Sequence, residues 1–518
     1  MAKYEIKDGV GIIPEGTTVI EEEAFKCCDE LTSIVIPDGV TEIGEDAFYK
    51  CFNLTTIQIP DSVVKIGEAA FYNCEMLEHI DLPPRLTTLS PHLLSGTGIK
   101  TIALPDTVTK IEDSAFSGCE RLTNISIPKT IVEIGNKAFA YCYRLTDITI
   151  PDSLTTLSAS IFENCESLTS VVIPDSVTEI ERGAFLDCTN LKSIVIPDSV
   201  MKIGSKCFCG CSRLANVIIP HSITEIGEYT FSDCSSLKDI SIPDAVTKID
   251  IGAFAGTSIK SVIIPDAVEE IKANPFVGCA NLMSIIVSEG NKVYDSRNQC
   301  NAIIETATNA LISGCSSTVI PDSVTKISPN GYFGGAFQGC SLLTTIAIPD
   351  SVTEIGERSF RASGLTSINI PGSVTKIGDE AFKDCAHLEN VVIPETLTKM
   401  GNDAFRGSAL TSISIPKAVE QVSENAFRGC TALKSVTIFS PILGEQCFAG
   451  CTALETVTLG VGIKSFDDDS FEGCTAIKTV YVPAKKADYY KKRLPGLRLR
   501  DLIVELPVEK KSKKLKAI

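Results

Sequence analysis

Residues 174–196 read PDSVTEIERGAFLDCTNLKSIVI, and at Pro197 the same phrase begins again, 23 residues on. Self-similarity at this period marks a stacked repeat architecture. Within the phrase the apolar residues are Val177, Ile180, Ala184, Phe185, Cys188, Leu191, Ile194 and Ile196. Neither a helical nor a strictly alternating period fits all of them, so the unit is a coil with several short sides. Leu191-x-x-Ile194-x-Ile196 is β-branched and closed by proline, which predicts a strand. Val177 to Ile180 predicts a second, shorter strand. The Pro-Asp-Ser step is turn chemistry, with φ preset by proline and aspartate bonding locally. Gly183 to Asn190 is expected to be a tight, partly helical return that tucks Phe185 and Cys188 inward. One such unit cannot bury its own apolar side and needs a copy above and below.

Boundary prolines carry the phrase along the chain: Pro14, Pro37, Pro60, Pro83, Pro105, Pro128, Pro151 and onward. The pattern L-x-x-I-x-I-P-x-x-V-x-x-I-(x)n-A-F-x-x-C, running from about Pro14 to Pro483, resembles the BspA-like class of bacterial leucine-rich repeats. The resemblance implies an α/β, mostly β, repeat fold: a single right-handed solenoid of about nineteen coils of 22–23 residues, with a parallel sheet on the concave side. It also implies a protein that binds other proteins, since members of that class are often exported and bind host proteins.

The expected organisation is an N-terminal cap (1–13), a first repeat block (14–287), an irregular coil with a hairpin insertion (288–320), a second block (321–483), and a basic C-terminal cap and tail (484–518). In the irregular coil Ser288 stands where a proline is due, and the next Ile-Pro comes 33 residues later. Ala302–Glu305 and Ala310–Ile312 are expected to pair as a hairpin around Thr306–Asn309. The next coil carries extra residues, Ser328 to Phe333. Insertions in solenoids map to surface loops and often bind. After Pro483, twelve Lys or Arg stand against four Asp or Glu. Ala484–Leu494 reads as helix, Leu497–Leu506 as a closing strand and Glu509–Ile518 as a disordered tail.

Fifteen of the 21 cysteines share one register of the repeat. A buried free cysteine behaves as a small hydrophobe, and inward parallel side chains rarely meet disulfide geometry, so a reduced column is expected. Four steps are 22 residues long, and in each the cysteine is absent: Gly96-Thr97-Gly98, Gly256-Thr257-Ser258, Ala362-Ser363-Gly364 and Gly407-Ser408-Ala409. The net charge of −18 disfavours a phosphate backbone as partner. Glu179, Lys202, Glu225, Lys248 and Glu270 alternate in sign in one column, as register support on neighbouring strands would require.

No phosphate-cradling glycine loop, nucleophile elbow or His-Glu-x-x-His helix occurs. The four histidines lie in separate coils. Cys207-Phe-Cys209-Gly-Cys211 lacks the second cysteine pair that zinc sites use, and turn preference explains the aspartates Asp152, Asp175 and Asp198 without calcium. The expectation is therefore no enzyme, no cofactor, no metal, no nucleic acid, no membrane insertion and a monomer. Met1–Ile13 has no signal pattern. A native start implies the cytosol, and a trimmed leader implies the cell surface or secretion.

The functional expectation is a non-catalytic protein-interaction scaffold, with a cell-surface adhesin as the alternative. Outward positions of the long strand are mostly Ser, Thr and Asn. Val172, Val195, Ile218, Ile263 and Ile286 depart from this, interrupted by Ser241, and predict an exposed apolar stripe of the kind that marks interaction sites. With Tyr294 and Arg297 of the insertion they form the candidate partner-binding set. A sugar-binding alternative needs an aromatic platform near Tyr294 or Tyr332.

Overall fold

Leucine and isoleucine spacing builds two strand columns and a return in each coil. The computed structural model describes residues 3–328, 334–494 and 496–507. Those residues form a mostly-β parallel solenoid of about 21 turns with almost no helix, close to the expected nineteen. The chain divides into two compact units, Met1–Lys272 and Ala273–Ile518.

In the first unit the long strands carry the L-x-x-I-x-I phrase. Ser170–Val172, Ser193–Val195 and Asn216–Ile218 pair in parallel and in strict register, Val172 opposite Val195 opposite Ile218. The middle residue of each, Val171, Ile194 and Val217, points inward and is buried. The short strands, such as Glu179–Ile180 and Lys202–Ile203, pair in parallel in a second column. An antiparallel hairpin, Glu5–Lys7 with Val10–Ile12, covers the first coil, and its second strand pairs with Ser33–Val35. Tyr4 stacks on Phe25 at 5.5 Å and closes the aromatic column.

The return differs from the expectation of partial helix: it is a third ladder between coils. The N–H groups of Gly183, Phe185 and Asp187 donate to the carbonyls of Ser205, Cys207 and Cys209 in the next coil, at 2.8–3.0 Å. The alternate residues Ala184, Leu186 and Cys188 donate three residues back within their own coil. Gly183 (φ 63°) and Asp187 (φ 57°) supply the left-handed conformations that let the donors point alternately inside and between coils. Glycine takes that region freely and Asp or Asn with little penalty. The A-F-x-x-C spacing mimics helical period, but the backbone satisfies itself with its neighbours.

Phenylalanines form continuous stacks inside each unit. In the first, Phe116 to Phe254 run as successive ring pairs with centroids 5.4–5.8 Å apart. In the second, Phe337 to Phe471 do the same at 5.0–5.5 Å.

Each 22-residue coil interrupts the long-strand sheet. New sheet segments begin at Thr101–Ala103 and Ser261–Ile264 in the first unit, and at Ser367–Asn369 and Ser412–Ile415 in the second. Residues 78–82, 238–242 and 344–348, in the coil before three of them, carry no strand. One residue fewer leads into the strand of the short coil. At each break one backbone bond persists near the strand start, for example Lys100 N–H to Glu78 at 3.4 Å and Thr366 N–H to Thr344 at 3.1 Å.

In the second unit the inserted hairpin forms, as Ala302–Glu305 antiparallel to Ala310–Gly314. It does not project as a surface loop. Ile303, Ile304 and Leu311 are fully buried, and Ala310 and Leu311 pair in parallel with Lys326 and Ile327, continuing the short-strand column. The extra residues Pro329–Phe333, with Tyr332, and the tail Glu509–Ile518 lie outside the described residues.

The C-terminal cap corrects one expectation. Leu497–Asp501 is a helix, following the helix Ala487–Lys491, and only Ile503–Glu505 is a strand, parallel to Thr479–Val482. The helical turn buries Leu499 and lets Arg498 donate to the carbonyls of Cys474, Thr475 and Ile477, backbone acceptors that no further coil covers. Tyr490 is buried and donates its hydroxyl to the Gly460 carbonyl at 2.5 Å.

Candidate interaction surface

The outward row of the first unit is built by strand alternation. With Ile194 and Ile196 inward, Val195 must point out. Val172, Val195 and Ile218 are 80%, 75% and 78% exposed and are direct cross-strand neighbours. The row then stops, because residues 238–242 form no strand and Ser241 interrupts the apolar sequence. Ile263 resumes it at 58% exposure. Ile286 belongs to the second unit, so the five residues divide four and one between the units.

In the second unit Ile286 shares one cleft of about 630 Å³ with Tyr294, Arg297 and the 3₁₀ turn Arg297–Gln299. Tyr294 is 5% exposed, so its ring offers no open platform. Arg297 grips Asp295 with two nitrogens, at 2.7 and 2.5 Å, and donates Nη1 to the Asn309 side chain at 2.8 Å. That fork fixes the cleft wall against the hairpin turn. The hydrogen-bonded Asp295 carboxylate raises the pKa of the Arg297 guanidinium above its ordinary value.

The cysteine column has a polar role that packing alone does not convey. Most Sγ–H groups of the column donate to the phenylalanine carbonyl of the coil before, as Cys188 to Phe162 at 3.1 Å and Cys211 to Phe185 at 3.2 Å, and Cys119 to the Leu94 carbonyl that stands in the phenylalanine position. The same carbonyl also accepts the N–H of its own coil's cysteine. In the short coils the register is not empty: Thr97, Thr257, Ser363 and Ser408 occupy it, each 2–3% exposed. Thr97 and Thr257 return their hydroxyls to the carbonyls of Leu94 and Phe254 at 2.8 and 2.9 Å. Counting [FL]-x-x-[ST] against F-x-x-C would have shown this replacement in the sequence.

All 21 cysteines are free. Burial pushes the thiols of Cys51 and Cys119 up to about 12. Cys209, half-buried beside Asp187 and Asp233, rises to about 11, burial being the larger cause. Among the described residues no group of three His, Cys, Asp or Glu is placed to hold a metal ion. Among them, too, no helix is long and apolar enough to cross a membrane.

A family model described as BspA type leucine rich repeat region matches in six overlapping copies, residues 11–123, 109–236, 156–283, 201–310, 303–434 and 431–494. Similar solved structures include a leucine rich cell surface protein from Faecalibacterium prausnitzii, 24% identical over 89% of each chain with a TM-score of 0.35. A leucine-rich repeat protein from Bacteroides ovatus is 24% identical over 91% of this chain and 94% of its own, with a TM-score of 0.28. The pneumococcal vaccine antigen PcpA is 19% identical over 97% and 96%, with a TM-score of 0.42. No curated protein matches the sequence.

Proposed function

This chain belongs to the BspA-type leucine-rich repeat family, and on that premise we propose that it is a non-catalytic scaffold for protein–protein interaction. The observation that supports this most directly is the exposure of Val172, Val195 and Ile218 as adjacent neighbours on one sheet face. Three β-branched side chains at 75–80% exposure contribute nothing to the core, whereas contiguous apolar surface on a folded protein favours a partner. Ile263 extends that region in the first unit. In the second, Ile286 with the cleft walled by Tyr294 and Arg297 forms a separate contact region. The partner in this reading is a protein, bound by a monomer, without nucleic acid or membrane insertion.

Of the two placements set out from the sequence, the cell surface accords with the family resemblance, and the adhesin reading goes with it. Sequencing the native N-terminus from intact cells separates the placements. The function is tested with Val195→Asp combined with Ile218→Asp, which adds charge only to solvent-facing positions. Proteins retained by the wild type and by a Ser126→Asp control, but lost by the double variant, support the proposal. Identical retention by all three places the binding surface elsewhere.

A further inference from the structure

The residue after each core phenylalanine lies on the outer side of the return. Through the first unit this position is almost without charge, Lys26 and Glu163 excepted. In the second unit it reads Arg361, Lys383, Arg406 and Arg428 in four successive coils. Backbone bonds join those coils directly: Ala362 N–H to Lys383, Asp384 N–H to Arg406 and Gly407 N–H to Arg428, at 2.8–2.9 Å. The backbones that carry successive cations are therefore one strand spacing apart, about 4.8 Å, within a screening length of about 8 Å.

Like charges at that spacing oppose stacking. In the short-strand column of the first unit opposite charges meet instead: Lys202 pairs with Glu179 at 2.6 Å and Lys248 with Glu225 at 2.5 Å. Here the compensation is incomplete. Glu380 serves Arg358, Arg361 and Lys383 at 2.9, 2.6 and 3.1 Å, and Asp403 serves Arg406 at 3.0 Å with Lys383 3.9 Å away. Among the described residues Arg428 has only the neutral oxygens of Asn425 and Gln446, at 3.2 and 2.5 Å. Arg361, Arg406 and Arg428 each use Nη1 in these contacts; Nη2 makes none among the described residues. Beside Arg406 and Arg428 the next residues are Gly407 and Gly429; the Asp384 carboxylate stands 2.9 Å from where a Cβ on Gly407 would be, whereas nothing lies within 4 Å of that point on Gly429. Asp384 is the acid on that flank, and Glu357 borders Arg358 at 3.6 Å.

We infer that this column, Arg361 to Arg428, is a docking surface for an acidic peptide segment of a partner protein. Carboxylates match the guanidinium edges left over in planar, charge-assisted pairs, and the open side of Gly429 leaves room for an extended backbone beside Arg428. A nucleic acid fits less well. Phe382, Phe405 and Phe427 are fully buried, leaving no ring of the column for base stacking.

The test is fluorescence anisotropy of a labelled oligo-glutamate peptide, with a labelled single-stranded oligonucleotide in parallel, on the full chain. Arg406→Gln with Arg428→Gln is compared with Lys202→Gln with Lys478→Gln, which removes equal charge from exposed sites elsewhere. Circular dichroism establishes that both variants are folded. The inference requires peptide binding that weakens with salt, falls about tenfold or more in the arginine variant, and holds in the lysine variant. No peptide binding, equal loss in both variants, or tighter binding of the oligonucleotide each overturns it.

Discussion

Replacing Phe185 by alanine tests the packing on which the repeat stack rests. The ring is fully buried and lies between Phe162 and Phe208, 5.5 Å from each, at interplanar angles of 28° and 5°. Removing a buried benzyl group forfeits roughly 1.5–3 kcal/mol of transfer energy. The coils above and below are held by the return ladder, so the space closes only in part and a cavity contribution adds to this. The expected loss is about 3–5 kcal/mol. Phe471, stacked on Phe448 alone and 7% exposed, should lose less, by about one ring pair or roughly 0.5–1.5 kcal/mol. Urea unfolding of the full chain gives the magnitude, and hydrogen exchange gives its location. Protection should fall first in the coils around residues 162–208, because stability in a solenoid is coupled mainly between neighbours. A Phe185→Ala variant within about 1 kcal/mol of wild type, a loss ordinary for arbitrary substitutions, would refute the inward column.

Further outcomes follow from the polar contacts. The thiols of Cys51, Cys119 and Cys340 are pushed up to about 12 by burial, so the folded chain keeps protons that the unfolded chain releases above pH about 8.5. Stability is fully present below that pH and falls as pH rises from about 9 towards 12, by about 1.4 kcal/mol per unit for each such thiol; urea midpoints unchanged across this range would contradict it. Thiol counting should find ready labelling of the exposed Cys27, slow labelling of the buried column, and 21 reactive groups after unfolding, whereas disulfides in freshly purified protein would oppose a reduced column. Tyr490→Phe should cost about 1–3 kcal/mol by leaving the Gly460 carbonyl unpaired beneath the cap, with increased exchange confined to the last coils.

Strands, phenylalanine column and cysteine burial were legible because each recurs once per period, and a repeated inward position is visible without neighbours. The return was not. Ala184, Phe185 and Cys188 have helix-like spacing, and only the left-handed Gly183 and Asp187 reveal that the backbone bonds between coils. The sheet breaks follow from one missing residue, whose consequence is geometric and invisible in composition. Tyr294 and Arg297 sit in the one coil with no copy to align, so neither the burial of the tyrosine nor the Asp295 fork had a sequence signal. The apolar row was legible by alternation, but its interruption at residues 238–242 was legible only as Ser241. The Arg361–Arg428 column emerges when coils are aligned on their phenylalanines, an alignment that the strand-centred phrase does not suggest.

The most direct test of the interaction surface is a photo-crosslinking residue placed at Val195, with the same residue at Ser126, an outward strand position that is also exposed, as the reference. The account predicts that partner proteins crosslink at residue 195 and that residue 126 yields only background. Equal crosslinking at both positions, or crosslinking at residue 126 alone, would contradict it.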